Sequence, residues 1–167
     1  MNQDMNKSAM INGLIIGAML SLKFLFSTTG NSFLSILAFV FSILVVVAIY
    51  YFSVRYRDNI NEGAITYGKS FGYMFRMYFY GSVISALVIL IYTGLIEPTY
   101  LESFPNKMLK AYDAYGIPID ENITEVIRNF FKPAPFALLN LFGSAFSAAF
   151  WALILSAFVK KEKSIFE

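Results

Sequence analysis

The chain has 167 residues, of which 57% are apolar, 18% aromatic and only 14% charged, with a formal net charge of +2; an ordinary soluble chain carries roughly 25% charged residues. So small a net charge gives no argument for a nucleic-acid partner. With no His and no Cys, disulfides, thiolate metal sites and imidazole chemistry are excluded.

Four long stretches contain no charge: Ser8–Leu22, Phe24–Val54, Met77–Ile96 and Pro133–Val159. A bilayer core needs about 20 apolar residues per spanning helix, because lipid offers no partner to an open backbone N–H or C=O. The expected fold is therefore all-α: an integral membrane four-helix bundle forming a single domain over 1–167. Met1–Lys7 before an apolar run resembles a signal peptide, but Ala9–Leu22 lacks a small-x-small cleavage site. The run is read as a retained first helix.

The first helix is expected over about 8–26. Lys23 lies near its end, where a four-carbon stem can lie along the helix while the ammonium reaches the headgroups. Ser27-Thr28-Thr29-Gly30-Asn31-Ser32 reads as a compact turn. The second helix, about 33–54, ends at Arg55-Tyr56-Arg57-Asp58. Gly63, Gly68 and Gly72 bracket a short Ile65–Phe71 element, and the third helix follows over about 73–95, with Arg76 one turn in. Glu97-Pro98 stops it, since the residue before proline disfavours the α conformation. The fourth helix, about 133–159, opens with Pro133 and Pro135 in its first turn, where a missing N–H costs nothing. It ends at Lys160-Lys161.

The one sizeable hydrophilic piece, 97–132, carries two amphipathic patterns. Leu109, Tyr112 and Tyr115 share a helical face before Gly116, a fit for a helix C-terminus. Asp120 is a candidate N-cap. Ile123, Val126, Ile127, Phe130 and Phe131 then recur at helical spacing opposite Glu121, Glu125 and Arg128. These predict two short helices that lie at the membrane surface or fold over the bundle mouth, as a docking or gating element or simply as a cap.

Basic residues collect on one side. With the N-terminus inside, eight fall in the cytoplasm (Lys7, Arg55, Arg57, Lys69, Arg76, Lys160, Lys161, Lys163) and five outside (Lys23, Lys107, Lys110, Arg128, Lys132), diluted there by six acids. The positive-inside rule then predicts both termini cytoplasmic and 97–132 extracytoplasmic.

Small residues recur every four positions on the first helix (Ala9, Gly13, Gly17, Ser21) and on the fourth (Asn140, Ser144, Ala148, Ala152, Ser156). Such ladders let two backbones approach closely in lipid, so the first helix is expected to pack on the fourth, with a homodimer interface as the alternative. Gly81, Ser82, Ser85 and Ala86 give the third helix a shorter equivalent. Intramembrane polar residues are few: Asn12, Lys23, Arg76 and Asn140, each expected to anchor a helix or bond a neighbour. No acid lies in a helix centre for proton coupling. Two outer-loop carboxylates a few ångströms apart could do acid–base work, yet Glu121 and Glu125 have the spacing of a solvated helix face. No catalytic residue, metal or cofactor is expected.

Several stretches together resemble a known family: the Gly13–Gly17 first helix, Arg57-Asp58 with Gly63 and Ile65-Thr66-Tyr67-Gly68-Lys69-Ser70-Phe71, Ile96-Glu97-Pro98, and Lys160-Lys161-Glu162-Lys163 after the last helix. The chain resembles the bacterial membrane family catalogued as domain of unknown function 4199, over almost its whole length. The resemblance implies a four-helix inner-membrane protein of uncharacterised activity, with no catalytic residues to carry over. It also points to polyprenyl-phosphate sugar transfer as neighbouring chemistry. The residues and the resemblance together favour a non-enzymatic inner-membrane accessory or scaffold protein. Its expected partners are membrane lipids and a membrane protein or a second copy of itself. A small transporter or lipid-handling protein is the alternative.

Overall fold

The computed structural model describes residues 2–161. Six α-helices form in the order α1 (Asn2–Thr28), α2 (Ser32–Ile60), α3 (Tyr67–Ile91), α4 (Ser103–Ala114), α5 (Glu121–Phe130) and α6 (Pro133–Val159). One π-helical turn, Tyr92–Ile96, prolongs α3, and a 3₁₀ turn, Pro98–Tyr100, follows it. Lys163 and Glu162 lie outside the described residues. Four segments, Asp4–Thr28, Ser32–Ile60, Tyr67–Ile96 and Pro133–Val159, are long and apolar enough to cross a membrane. At 1.5 Å per residue, 25–30 residues reach about 38–45 Å, beyond the ~30 Å hydrocarbon core, so their ends extend into the headgroup zones or the helices tilt. Of the four, α2 is the least covered by protein, with 17% of its apolar window buried, as its bulky Phe and Val composition leads one to expect.

The third span begins at Tyr67 rather than near Tyr73, absorbing the short element expected over Ile65–Phe71. Gly68 and Gly72 do not break it; helical glycine costs only about 1 kcal/mol against alanine. Thr66 opens the helix instead, its Oγ1 accepting from the Lys69 N–H at 3.4 Å and its carbonyl from the Ser70 N–H at 3.0 Å.

The chain forms two compact units, one of Met1–Ser85 with Leu141–Glu167 and one of Ala86–Asn140. In the first unit the glycine face of α1 meets α3, and not the fourth span. A Cβ on Gly13 would lie 2.9 Å from the Met77 carbonyl, one on Gly17 would lie 3.0 Å from the Gly81 carbonyl, and one on Gly81 would lie 2.9 Å from the Gly17 nitrogen. Gly13 thus faces Met77–Gly81 and Gly17 faces Gly81–Ile84, so the two helices run in the same direction. Tyr73, fully buried, extends the contact: Asn12 Nδ2 donates to its hydroxyl at 2.7 Å, Ser8 Oγ lies 3.1 Å from the same oxygen, and Tyr56 of α2 stacks on its ring at 4.0 Å. Arg76 sits deeper in α3 than one turn and reaches Met5 Sδ at 3.5 Å, its side chain running back along α1 as a snorkelling cation does.

On α6 the small-residue face divides by depth: Ala148, Ala152 and Ser156 are buried, Ser144 is half-buried and Asn140 exposed. Ser156 Oγ lies 3.8 Å from Met74 Sδ. Ala9, Gly13, Gly17 and Ser21 on α1 are all buried. The C-terminal ends of α2 and α6 and the N-terminal end of α3 are tied together. Arg57 pairs with Asp58 through two bonds of 2.7 and 3.2 Å and donates to the Val159 carbonyl at 3.1 Å. Ile65 and Lys161 exchange backbone bonds of 2.8 and 3.0 Å, and Tyr67 donates its hydroxyl to the Leu153 carbonyl at 2.9 Å.

Gly81→Ala is expected to destabilise the protein by about 1–3 kcal/mol, the range for overpacking, because the methyl meets α1 backbone at both Gly13 and Gly17. Gly143→Ala, whose added Cβ meets nothing within 4 Å, is expected to be neutral or mildly stabilising. Thermal unfolding of the two variants in one detergent checks the difference; equal midpoints would refute the close contact.

Candidate functional site

The polar segment between the third and fourth spans builds its own core. Tyr92, Tyr100, Phe104, Phe131 and Phe136 form a run of ring contacts: Tyr92–Tyr100 at 6.1 Å, Tyr100–Phe104 at 5.3 Å, Phe104–Phe131 stacked at 5.6 Å and Phe131–Phe136 at 6.3 Å. This run links the π turn, the 3₁₀ turn, α4, the end of α5 and the start of α6. Leu101 and Pro105 are buried beside it. Burial, with Tyr92 and Glu97 nearby, pushes the Tyr100 hydroxyl above the usual phenol range, so the ring stays neutral.

The helix ends here follow sequence chemistry closely. Gly116 takes φ +66°, and the N–H of Ile117 bonds the Tyr112 carbonyl at 3.0 Å while that of Gly116 bonds the Asp113 carbonyl at 3.0 Å. That pair is the Schellman arrangement that closes α4. Asp120 caps α5, accepting from the Ile123 N–H at 2.7 Å. The carboxylates are otherwise dispersed: Tyr92 donates its hydroxyl to Glu97, and Glu102, Asp113, Glu121 and Glu125 are all exposed.

The apolar arc of α5 is split. At 100° per residue, Val126, Phe130, Ile123, Ile127 and Phe131 cover about 140° of the helix. Ile127 is buried and Phe131 sits in the ring stack, so one edge of the arc faces protein. The other edge does not: Ile123, Val126 and Phe130 are 48%, 53% and 53% exposed. Of the five residues singled out from sequence, four lie on α5 and Phe131 is its C-cap; they divide into two that hold α5 in place and three that it presents.

Sequence reasoning missed a cavity of about 390 Å³ below α5. Its walls include Thr93 of the π turn, Glu102 just before α4 and Asn106 within it, Arg128 near the end of α5, and Phe131 and Lys132 in the link to α6. The signal available was two basic residues, Arg128 and Lys132, close together in sequence just before the last span. In the first unit a second cavity of about 390 Å³ brings Lys23 beside Ser42, Tyr78, Ser147 and Trp151. Among the described residues, no group of three or more His, Cys, Asp or Glu side chains is placed to hold a metal ion.

An all-α chain with four membrane-length helices and a helical segment before the last defines a polytopic helical membrane protein. Residues 11–161 match the model of a protein family of unknown function (DUF4199), and the chain belongs to that family. No curated protein and no solved structure matches it.

Phe104→Ala is expected to loosen α4 and α5 without disturbing α1 and α2, because its ring contacts lie within the second unit. Phe104 is half-buried, so the loss should fall below the ~3–5 kcal/mol of a fully buried Phe. Hydrogen exchange in detergent checks this: protection should fall at Ser103–Phe130 and hold at Ser32–Ile60.

Proposed function

We propose that this protein is a non-enzymatic accessory protein of a bacterial inner membrane, with both termini cytoplasmic, and that its outer segment works while lying on the outer leaflet. The exposed edge of α5 carries this reading. Ile123, Val126 and Phe130 form an apolar strip on a ten-residue helix, a patch that a surface facing only water rarely tolerates. Lipid is at hand, because α6 begins at Pro133, three residues after the strip ends. Lys107, Lys110 and Arg128 are exposed on the same segment, the basic polar residues that commonly accompany the apolar face of an interfacial helix. The carboxylates support a non-catalytic role, since Asp120 is engaged as a cap and Glu121 and Glu125 share a solvated face.

The orientation rests on the eight-to-five basic bias and on what lies near the inner helix ends, where Arg57, Lys69 and Lys161 gather. A second reading, a small lipid-handling or transport protein, is favoured by one observation: Lys23 borders the cavity lined by Ser42, Tyr78 and Trp151. A cation that lines a cavity within a candidate span is a functional suspect by default.

Two measurements test the leading reading. Reporter fusions near Gly116 should score extracytoplasmic and those after Asn61 cytoplasmic; the opposite pattern overturns the orientation. The chain has no cysteine, so Val126→Cys provides a single labelling site. A bimane there should be quenched by shallow doxyl-labelled lipid and protected from aqueous iodide. Quenching by iodide alone would overturn the leaflet contact. Replacing Ile123, Val126 and Phe130 with Ser should release α5 from lipid while the spans still insert. Ile127→Asp, by contrast, should unfold the segment, because Ile127 faces inward.

A further inference from the structure

We propose that the cavity beneath α5 is a binding site for a phosphate-bearing lipid headgroup, a ligand class that rests on the leaflet reading above. Arg128, in the last turn of α5, and Lys132, in the short link from α5 to α6, both border the cavity. Neither has an ion-pair partner among the described residues. Glu102 is the one carboxylate on the same wall, so two cations against one anion leave a local charge of +1. A guanidinium presents a planar fork that matches two phosphate oxygens, and a lysine ammonium adds a compact charge beside it. Asn106 supplies a neutral amide, and Glu102 an acceptor for a headgroup hydroxyl.

The site has a built shape. Thr93 and Gly94 line it from the π turn that ends the third span, and Pro133 from the first residue of the fourth. A cavity between the ends of two spanning segments lies at headgroup depth. Isolated π turns are frequent at functional sites. Here the Thr93 hydroxyl is committed to the Ile89 carbonyl at 2.8 Å, while Gly94 adds no side chain and leaves space. Phe131, Leu101 and Pro105 give the cavity an apolar floor, which suits a glycerol backbone and not a free ion. The exposed strip of α5 offers acyl chains a surface on the same helix. Free phosphate shares the recognition chemistry but has no use for the floor or the strip.

The test is native mass spectrometry of the full chain in mild detergent, titrated with short-chain phosphatidylglycerol, chain-matched diacylglycerol and inorganic phosphate. Thermal unfolding of each variant is measured first. Phosphatidylglycerol should bind at least about tenfold more tightly than diacylglycerol, and R128Q/K132Q should remove about that factor. K107Q/K110Q, which removes the same charge from α4, should bind as the wild type does. Equal binding by wild type and R128Q/K132Q, or an equal loss in K107Q/K110Q, overturns the site. Inorganic phosphate binding that needs Arg128 and Lys132, without a lipid adduct, overturns the lipid as source. The label at Val126→Cys separates the two readings: a headgroup adduct that needs both cations, with the label open to iodide, upholds the site and refutes only the leaflet contact.

Discussion

A helix that enters a bilayer leaves four N–H groups at one end and four carbonyls at the other without helical partners, and hydrocarbon supplies none. The turns that join α1 to α2 and α2 to α3 are organised around that deficit. Ser27, Thr28 and Thr29 return their hydroxyls to the Phe24, Leu25 and Phe26 carbonyls at 2.6, 2.8 and 3.0 Å, closing α1. Asn31 then accepts from Phe33 at 2.8 Å to open α2. At the other side, Asn61 and Gly63 both donate to the Arg57 carbonyl, at 3.2 and 3.0 Å, while the Arg57 side chain serves the end of α6. One residue thus closes two helices, and the bridge between Ile65 and Lys161 adds two further pairings.

Closing helix ends does not choose neighbours, and in lipid the hydrophobic effect does not choose them either. Backbone proximity does. Gly13 and Gly17 fit against Gly81 because none of the three carries a Cβ, and the approach leaves no room for one. The same contact explains the polar residues in the first span. Asn12 lies one residue before Gly13 and finds Tyr73 across the contact; Ser8, one turn earlier, shares that hydroxyl. A buried Tyr hydroxyl wants a partner, and the two α1 side chains provide it.

Span count and most boundaries were legible because apolar run length and terminal chemistry are local properties. The end of α4 at Gly116 and the start of α5 after Asp120 were legible for the same reason. The start of the third span was not, since Gly68 and Gly72 suggest breaks on paper while the structure leaves open space around both. The partner of the first helix was not legible either: α1 and α6 carry ladders of the same spacing, and Gly81 sits in a shorter one. Which ladders meet is settled by shape complementarity across the bundle. The cavity was the least legible feature. It joins residues some forty positions apart in sequence, and its π turn has no sequence signature. Arg128 reads on its own as an ordinary solvated charge.

The division of α5 ties these levels together. Its protein-facing edge, Ile127 with the C-cap Phe131, completes the aromatic core of the segment between the third and fourth spans, and that same rotation sends Arg128 toward the cavity and Ile123, Val126 and Phe130 away from protein. The three roles cannot be set independently, because one ten-residue helix carries Ile123, Val126, Ile127, Arg128 and Phe130, and Phe131 is its C-cap. A headgroup held at Arg128 and Lys132 and a leaflet beneath the apolar strip would therefore act on the same body. By linkage, whatever affinity the seated helix adds to the headgroup, the headgroup returns to the seating. Composition follows from this coupling: a more polar outer edge would leave the core of the segment intact while disconnecting its cationic pocket from the lipid surface, and the chain instead keeps three large apolar residues exposed there.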